Sequence, residues 1–580
     1  MKRLHRLLSA GTAAALAVTL ASCASSNRDA TTTSSSANNA PGSSASDTGS
    51  ASATGGATSD GTLIFGAPGK PKMFDPLYAD DGETFRVTRQ ITEGLVAYKV
   101  GKTELEPALA ESWTPSADGV TWTFKLRTGV KFTDGTDFNA DAVCYNFDRM
   151  YGQSGTGATL ATYWSTTMGG FKGQVGDDGK PVPSLYKSCA VTDAATAVIT
   201  INSVSSKFPG ILGLPSFSIQ SPTALKKYDA DNVTAAGDAF TYPAYALEHP
   251  TGTGPFVLTK YDTANNTIEL TRNDAYWGDK AKVKTIIFKV ISDTTARKQE
   301  LDAGTIDGYD LPSAGDWDAL KAAGDDVLVR GAFNVMYLGL NPTHNPALLD
   351  LRVRQAIAYA LNKSEFVSSQ LPEGSQVALN LYPDSLEGWT DQVEKYAYDP
   401  QKAKDLLAAA GQSNLTLNFW WPSDVSRQYM PEPNAIFNAF KADLEAVGIK
   451  INEVVKVWNQ GYLTGVDDNQ ADAFILGWNG DYPAPDNFIG TFFSNTTLRF
   501  GTGQYPWGTQ LSDELKAADA ITDPTARAAA YVALNKKLLG EYLPAIPISH
   551  SPSALVVSSK VQGLIASPLA DERFAFVSKS

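Results

Sequence analysis

Three cysteines, four histidines and six methionines in 580 residues leave little material for metal or thiol chemistry. His249, His344 and His550 are scattered, with no second His or Cys at ligand spacing, so no structural metal site is indicated and no cofactor is expected. Positive charge is also short: 48 Lys and Arg face 62 Asp and Glu, for a net charge of −14. A polyanion would be repelled, which argues against nucleic acid as a partner. Signatures of catalysis are missing as well. There is no GxxxxGK[ST] phosphate loop, and the Gly-rich TGTGPF at 251–256 precedes a strand instead of following one. SLYK at 184–187 fits SxxK but has no SDN or KTG beside it, and GQSGT at 152–156 fails the nucleophile elbow at Thr156. The chain is therefore expected not to be an enzyme; a hydrolase would need a nucleophile or metal constellation that this sequence does not offer.

What the sequence does contain begins with an export signal. MKRLHR carries Lys2, Arg3 and Arg6, and the following LLSAGTAAALAVTL is too short for a confident membrane-spanning helix. It ends in LASC, residues 20–23. A run of small residues directly before a cysteine resembles the lipobox of bacterial lipoproteins. That resemblance implies removal of residues 1–22, a lipid on Cys23, and attachment to the outer face of the cell membrane; the alternative is an ordinary secretory signal followed by an unrelated cysteine. Residues 24–60, rich in Ser, Thr, Ala and Gly, have almost nothing to bury and read as a flexible tether. The fold is expected to start near Gly61, and at 61.8 kDa it should contain more than one lobe. Cys144, in a predicted helix, and Cys189, near a predicted strand, are the two cysteines left. In an oxidising compartment they form a candidate disulfide, with two buried thiols as the alternative.

The body has a readable order. TWTFKLR alternates like a half-buried strand, and GPFVLTKY, TIELTRN and KTIIFKVI give further strands between 252 and 290. Asp350 can cap a helix LRVRQAIAYALN, and Asp399 with Pro400 opens another that Gly411 ends. Then come strand LTLNFW (415–420), helix 434–447 closed by Gly448, strand 449–457, a short helix near 459–466, and strand AFILGW (473–478). Alternating strands and helices predict a mostly parallel sheet, with ligands bound outside the carboxyl ends of its strands. Trp420, Trp421, Arg427 and Tyr429 lie at or beyond the first of those ends, Trp458 after the second, and Asn479, Asp481 and Tyr482 after the third. One cation, one anion and several aromatics at a common edge would suit a small zwitterion. Each residue also has a plainer reading: Asp481 as a turn former, Arg427 as a solvated charge, Trp458 and Trp478 as core.

Long stretches add to this: VGKTELEPALAESWTPSADGVTWTFKLRTGVKF, GTGPFVL, YWG, DLRVRQAIAYALNK, YDPQKAKDLLAAAG and GWNGDYPAPDNF. Through them residues 61–580 resemble the peptide-binding family of ABC importer solute receptors, and within it the bacterial dipeptide-binding proteins. The resemblance implies an α/β, two-lobed periplasmic-binding-protein-like fold with mixed sheets and a hinge. Lobe I would comprise 61–330, with a subdomain at about 99–245, and lobe II 331–545; residues 546–580 would return to lobe I. It implies that Asp481, in the segment with Gly477, Trp478, Asn479 and Tyr482, holds a peptide's ammonium group. Arg427, with Tyr429, would meet the ligand's carboxylate, and Trp458 would form an aromatic wall. The implied partners are a short peptide, permease subunits and separate ATPase subunits, with the receptor itself a monomer. YPA at 482–484 and the added Met430, Pro431 and Glu432 depart from the dipeptide receptors and leave peptide length open. The family also takes nickel chelates, haem, glutathione and oligosaccharides.

Overall fold

The computed structural model describes residues 61–580 apart from 177, 237–238 and 459. The expected cleavage and lipidation site at Cys23 and the tether behind it lie outside the described residues. Two mixed sheets organise the chain, confirming the α/β class. A seven-stranded sheet has the spatial order Phe256–Asp262, Thr267–Arg272, Thr285–Val290, Thr62–Ala67, Gly308–Asp310, Ser553–Val557, Asp326–Arg330. The amino-terminal strand lies near its centre, parallel to both neighbours. A near-terminal strand, Ser553–Val557, is threaded antiparallel between two strands that precede it by more than 200 residues.

The second sheet has the order Gln376–Val377, Ala545–His550, Asn334–Leu340, Ala473–Asn479, Thr416–Pro422, Lys450–Lys456. The expectation of a mostly parallel sheet is corrected here. Thr416–Pro422 runs parallel to both of its neighbours, whereas Asn334–Leu340, Ala545–His550 and Gln376–Val377 pair antiparallel. The helix-linked alternation in the sequence covers only the parallel strands; the others arrive through connections that leave direction open. Ala545–His550 belongs to this second sheet, so the return to the first sheet begins at 551 and not at 546. The chain therefore passes between the sheets twice, at 331–333 and 551–552. These crossings lie side by side: Asn334 Nδ2 donates to the Ser551 carbonyl at 2.7 Å, and Ser551 N–H donates to Asn334 Oδ1 at 3.0 Å.

Local chemistry follows the sequence closely. The Asp350 carboxylate accepts from Arg352 N–H and that of Asp399 from Lys402 N–H, both at 2.9 Å, satisfying free donors at two helix starts. Gly411 and Gly448, at φ of 70° and 95°, end their helices in the left-handed region that favours glycine. Helix Pro433–Ala446 buries Ile436, Phe437, Phe440 and Leu444 on one face, each worth about 1.5–3 kcal/mol against the unfolded chain. A four-stranded antiparallel sheet, Ala110–Pro115, Thr121–Leu126, Thr196–Ile201 and Tyr186–Asp193, forms a separate layer within the first half. Helix Ala140–Tyr151 packs on it, and Cys144 of that helix is bonded to Cys189 of strand Tyr186–Asp193, with Cα atoms 5.1 Å apart.

Candidate ligand-binding site

Because Thr416–Pro422, Lys450–Lys456 and Ala473–Asn479 are parallel, their carboxyl ends share one edge of the second sheet. Strand Ala473–Asn479 is apolar and buried until Trp478, where exposure begins. Gly477 and Gly480 mark close approaches. A Cβ at 477 would strike the Val335 carbonyl and the Tyr429 ring, and one at 480 would strike Phe333. The chain then turns through Asp481 and Tyr482 into the helical turn Pro485–Asn487.

Asn487, almost fully buried, organises this turn. Its Oδ1 accepts from Asp481 N–H at 2.7 Å and from Trp478 Nε1 at 3.4 Å, and its Nδ2 reaches Asp481 Oδ2 at 3.4 Å. The other carboxylate oxygen, Oδ1, accepts the phenolic hydrogen of Tyr163 at 2.9 Å. Tyr163 sits on helix Thr162–Thr167 of the first half, 318 positions earlier in the chain. The hydrogen bond thus joins the two halves across a cavity of about 200 Å³. Asp80, Tyr163 and several threonines form one side of that cavity, and Trp478, Asp481, Tyr482 and Asn487 the other.

Burial pushes the Asp481 carboxyl up to about 6, against the opposing pull of Tyr163, Asn487 and the Arg89 cation. Burial also holds the Tyr163 and Tyr482 hydroxyls well above the ordinary phenol range. The pocket therefore presents a carboxylate in a poorly solvated setting, held by two neutral donors.

Trp478, Asp481 and Tyr482 are brought together in this cavity. Asn479 is exposed at the end of the ladder, opposite Asn334. Arg427, Tyr429 and Trp458 form a neighbouring group outside the cavity lining. Tyr429 is buried against Gly477. Trp458 is buried with its ring stacked on Tyr462 at 5.6 Å, and the exposed Arg427 guanidinium lies 4.9 Å from the Trp458 ring centre. The reason is a tie between two loops: Trp458 N–H donates to Asp424 Oδ1 at 2.7 Å. That bond draws the loop after Thr416–Pro422 toward the end of Lys450–Lys456. The common edge thus holds one acidic cavity with a cation–aromatic shelf beside it. The cation acting on Asp481 is Arg89, from helix Gly82–Ile91.

Sequence reasoning missed Tyr163, Asn487, Asp80 and Arg89. Asn487 stands inside the same GWNGDYPAPDNF stretch, where a buried amide shortly after a loop carboxylate was a usable signal. The other three come from the first half, and nothing local marks them. Among the described residues, no group of three or more His, Cys, Asp or Glu side chains is arranged to hold a metal ion.

Comparison with known proteins agrees with this architecture. Residues 104–499 match the model for bacterial extracellular solute-binding proteins, family 5. Haem-binding protein A of Haemophilus influenzae is 30% identical over 532 residues, covering 90% of this chain and 93% of that protein. The dipeptide-binding protein of Escherichia coli is 30% identical over 527 residues, covering 89% and 94%. The solved structure of the Helicobacter pylori periplasmic binding protein DppA, in complex with the peptide STSA, superposes with a TM-score of 0.71 at 26% identity, covering 90% of this chain and 98% of that one. The chain belongs to family 5 of the bacterial extracellular solute-binding proteins.

Proposed function

We propose that this receptor captures short peptides with a free α-ammonium group and delivers them to the permease subunits of an ABC importer, driven by separate ATPase subunits. The observation that carries the reading is Asp481: a carboxylate at the junction of the two halves, desolvated enough to be raised to about 6, with only neutral hydrogen-bond donors on its oxygens. A buried ammonium requires such a partner, since an unpaired charge in a dry site is prohibitive. The two crossings at 331–333 and 551–552 act as the hinge about which the halves close on the ligand. Arg427, beside Tyr429 and Trp458, meets the carboxylate of ligands short enough to end there. A lipid on Cys23 anchors the monomeric receptor to the outer face of the membrane.

The haem-binding relative is as similar as the dipeptide-binding one. The carboxylates of Asp80 and Asp481 in the cavity lining suit a ligand ammonium and would repel the carboxylates of haem, and this favours the peptide. Titration calorimetry with paired free and N-acetylated di- and tripeptides tests the reading. Losing one partner of a buried ion pair costs roughly 3–5 kcal/mol, or about two to three and a half decades in Kd. N-acetylation and Asp481→Asn should each produce a loss of that order. Equal binding of free and acetylated peptides would refute the assignment.

A further inference from the structure

The halves are also joined outside the cavity. Residues 205–207 follow strand Thr196–Ile201 of the first half. Asp519 is the last residue of helix Gly508–Asp519 in the second half, and Asp486 lies in the turn that carries Asp481. The Lys207 ammonium is hydrogen-bonded to Asp486 Oδ2, and both side chains are largely withdrawn from solvent, at 19% and 12% exposure. Ser205 Oγ donates to Asp519 Oδ2 at 3.1 Å and Ser206 Oγ to Oδ1 at 2.8 Å. Ser206 N–H reaches the Asp519 carbonyl at 3.0 Å. Burial works against the Lys207 charge, but the two carboxylates outweigh it and leave its pKa raised. Asp519 is raised by burial and by Asp486, with Lys207 opposing. One cation is thus paired with Asp486 and acts electrostatically on Asp519 inside a partly dry seam.

None of these groups lines the cavity, yet the chain of contacts reaches it. Lys207 holds Asp486; Asp486 is adjacent to Asn487; Asn487 fixes both the backbone N–H and the carboxylate of Asp481. We propose that Lys207 is a positioning residue for ligand capture, a latch made only when the halves meet, which holds the Asp481 turn in place and slows ligand escape. The proposal rests on the peptide-receptor reading for its ligand. A contact present only in the closed form shifts the open–closed equilibrium by its own differential free energy, and such contacts act mainly on dissociation.

Stopped-flow measurement of tripeptide association and release in wild type, Lys207→Met and Lys207→Arg tests it, after thermal melting has established that each variant folds. Losing one side of a desolvated charged contact should speed release of the order of tenfold to a hundredfold and leave association within about threefold. Lys207→Arg, which keeps the charge, should recover most of the loss; a residue that merely stabilised the fold would lower the melting temperature without changing release. Release within twofold of wild type in Lys207→Met, or no recovery in Lys207→Arg, overturns the proposal. If wild type binds no peptide at all, the functional reading fails, and the latch is judged on the empty protein by small-angle scattering. A larger radius of gyration in Lys207→Met then supports it, and equal radii overturn it.

Discussion

Lowering the pH from 7.5 to 5 should cost this receptor most of its grip on a free-amine peptide. The group responsible is Asp481, raised to about 6 from an ordinary 3.8 chiefly by burial. At pH 7.5 nearly all of it is ionised, and at pH 5 about one tenth remains so. Only the ionised form pairs with the ligand's ammonium, whose own pKa is near 8, so affinity should be about twofold weaker at pH 8 and highest near pH 7. It should then fall roughly tenfold by pH 5 and approach a tenfold loss per further unit. Stability of the empty protein should move in the opposite direction. A carboxyl whose folded value exceeds its unfolded value binds more protons when folded, so its unfavourable contribution, on the order of 3 kcal/mol at neutral pH, is relieved as the pH falls from about 6 toward 3.8. Calorimetry at pH 8, 7, 6 and 5 with a peptide lacking ionisable side chains would read the affinity. Repeating the pH 6 titration in buffers of different ionisation enthalpy should show about half a proton released per peptide bound. Asp481→Asn should remove both the acid-side slope and the proton release. Wild-type affinity unchanged between pH 7.5 and 5 would refute the reasoning, because the carboxylate would then not be paired with the ligand.

Replacing Cys144 and Cys189 by Ser opens a cross-link spanning 45 positions and should destabilise the protein by about 2–4 kcal/mol; denaturant unfolding with and without reductant would read it, and coincident curves would contradict it. Arg427→Ala should weaken dipeptides about tenfold more than tripeptides, since only the shorter ligand ends near the shelf formed with Trp458; equal losses would place the ligand's carboxylate elsewhere. Cys23→Ser should leave the protein unlipidated and released into the medium or unprocessed, as fractionation of cells and medium would show; normal cleavage with full membrane retention would count against the anchor.

Much of the second half was legible because its cues are local. The caps at Asp350 and Asp399, the stops at Gly411 and Gly448, and the apolar periods between them each act within a few residues. The turn after Trp478 was legible for the same reason: a buried strand that runs into Gly, Asp, Tyr and Pro has to break there. What could not be read is whatever depends on partners hundreds of positions apart. Tyr163 meets Asp481 across 318 positions and Lys207 meets Asp486 across 279, and no pattern near any of the four encodes the other end. Strand direction was hidden too, since AIPISH gives no sign of whether it will run with or against 334–340. Arg427 lies on the loop after Thr416–Pro422, and its side chain rests over Trp458, whose N–H donates to Asp424 of the same loop, a detail of loop packing.

The threading of Ser553–Val557 between Gly308–Asp310 and Asp326–Arg330 governs the order in which the molecule can be built. Every strand of the six-stranded sheet lies between 334 and 550, so that sheet can assemble from a contiguous piece of chain. The seven-stranded sheet cannot: until residue 557 has been made, two of its strands face an empty channel with unpaired backbone groups on both sides. The portion synthesised first is thus finished last, after closure of a loop of more than 200 residues, a slow step for contacts so distant in sequence. A chain truncated after 550 would keep the whole Asp481 turn yet leave the first half split along that channel, exposed to pairing with other chains. Completion of that sheet is thereby tied to the arrival of residues 553–557.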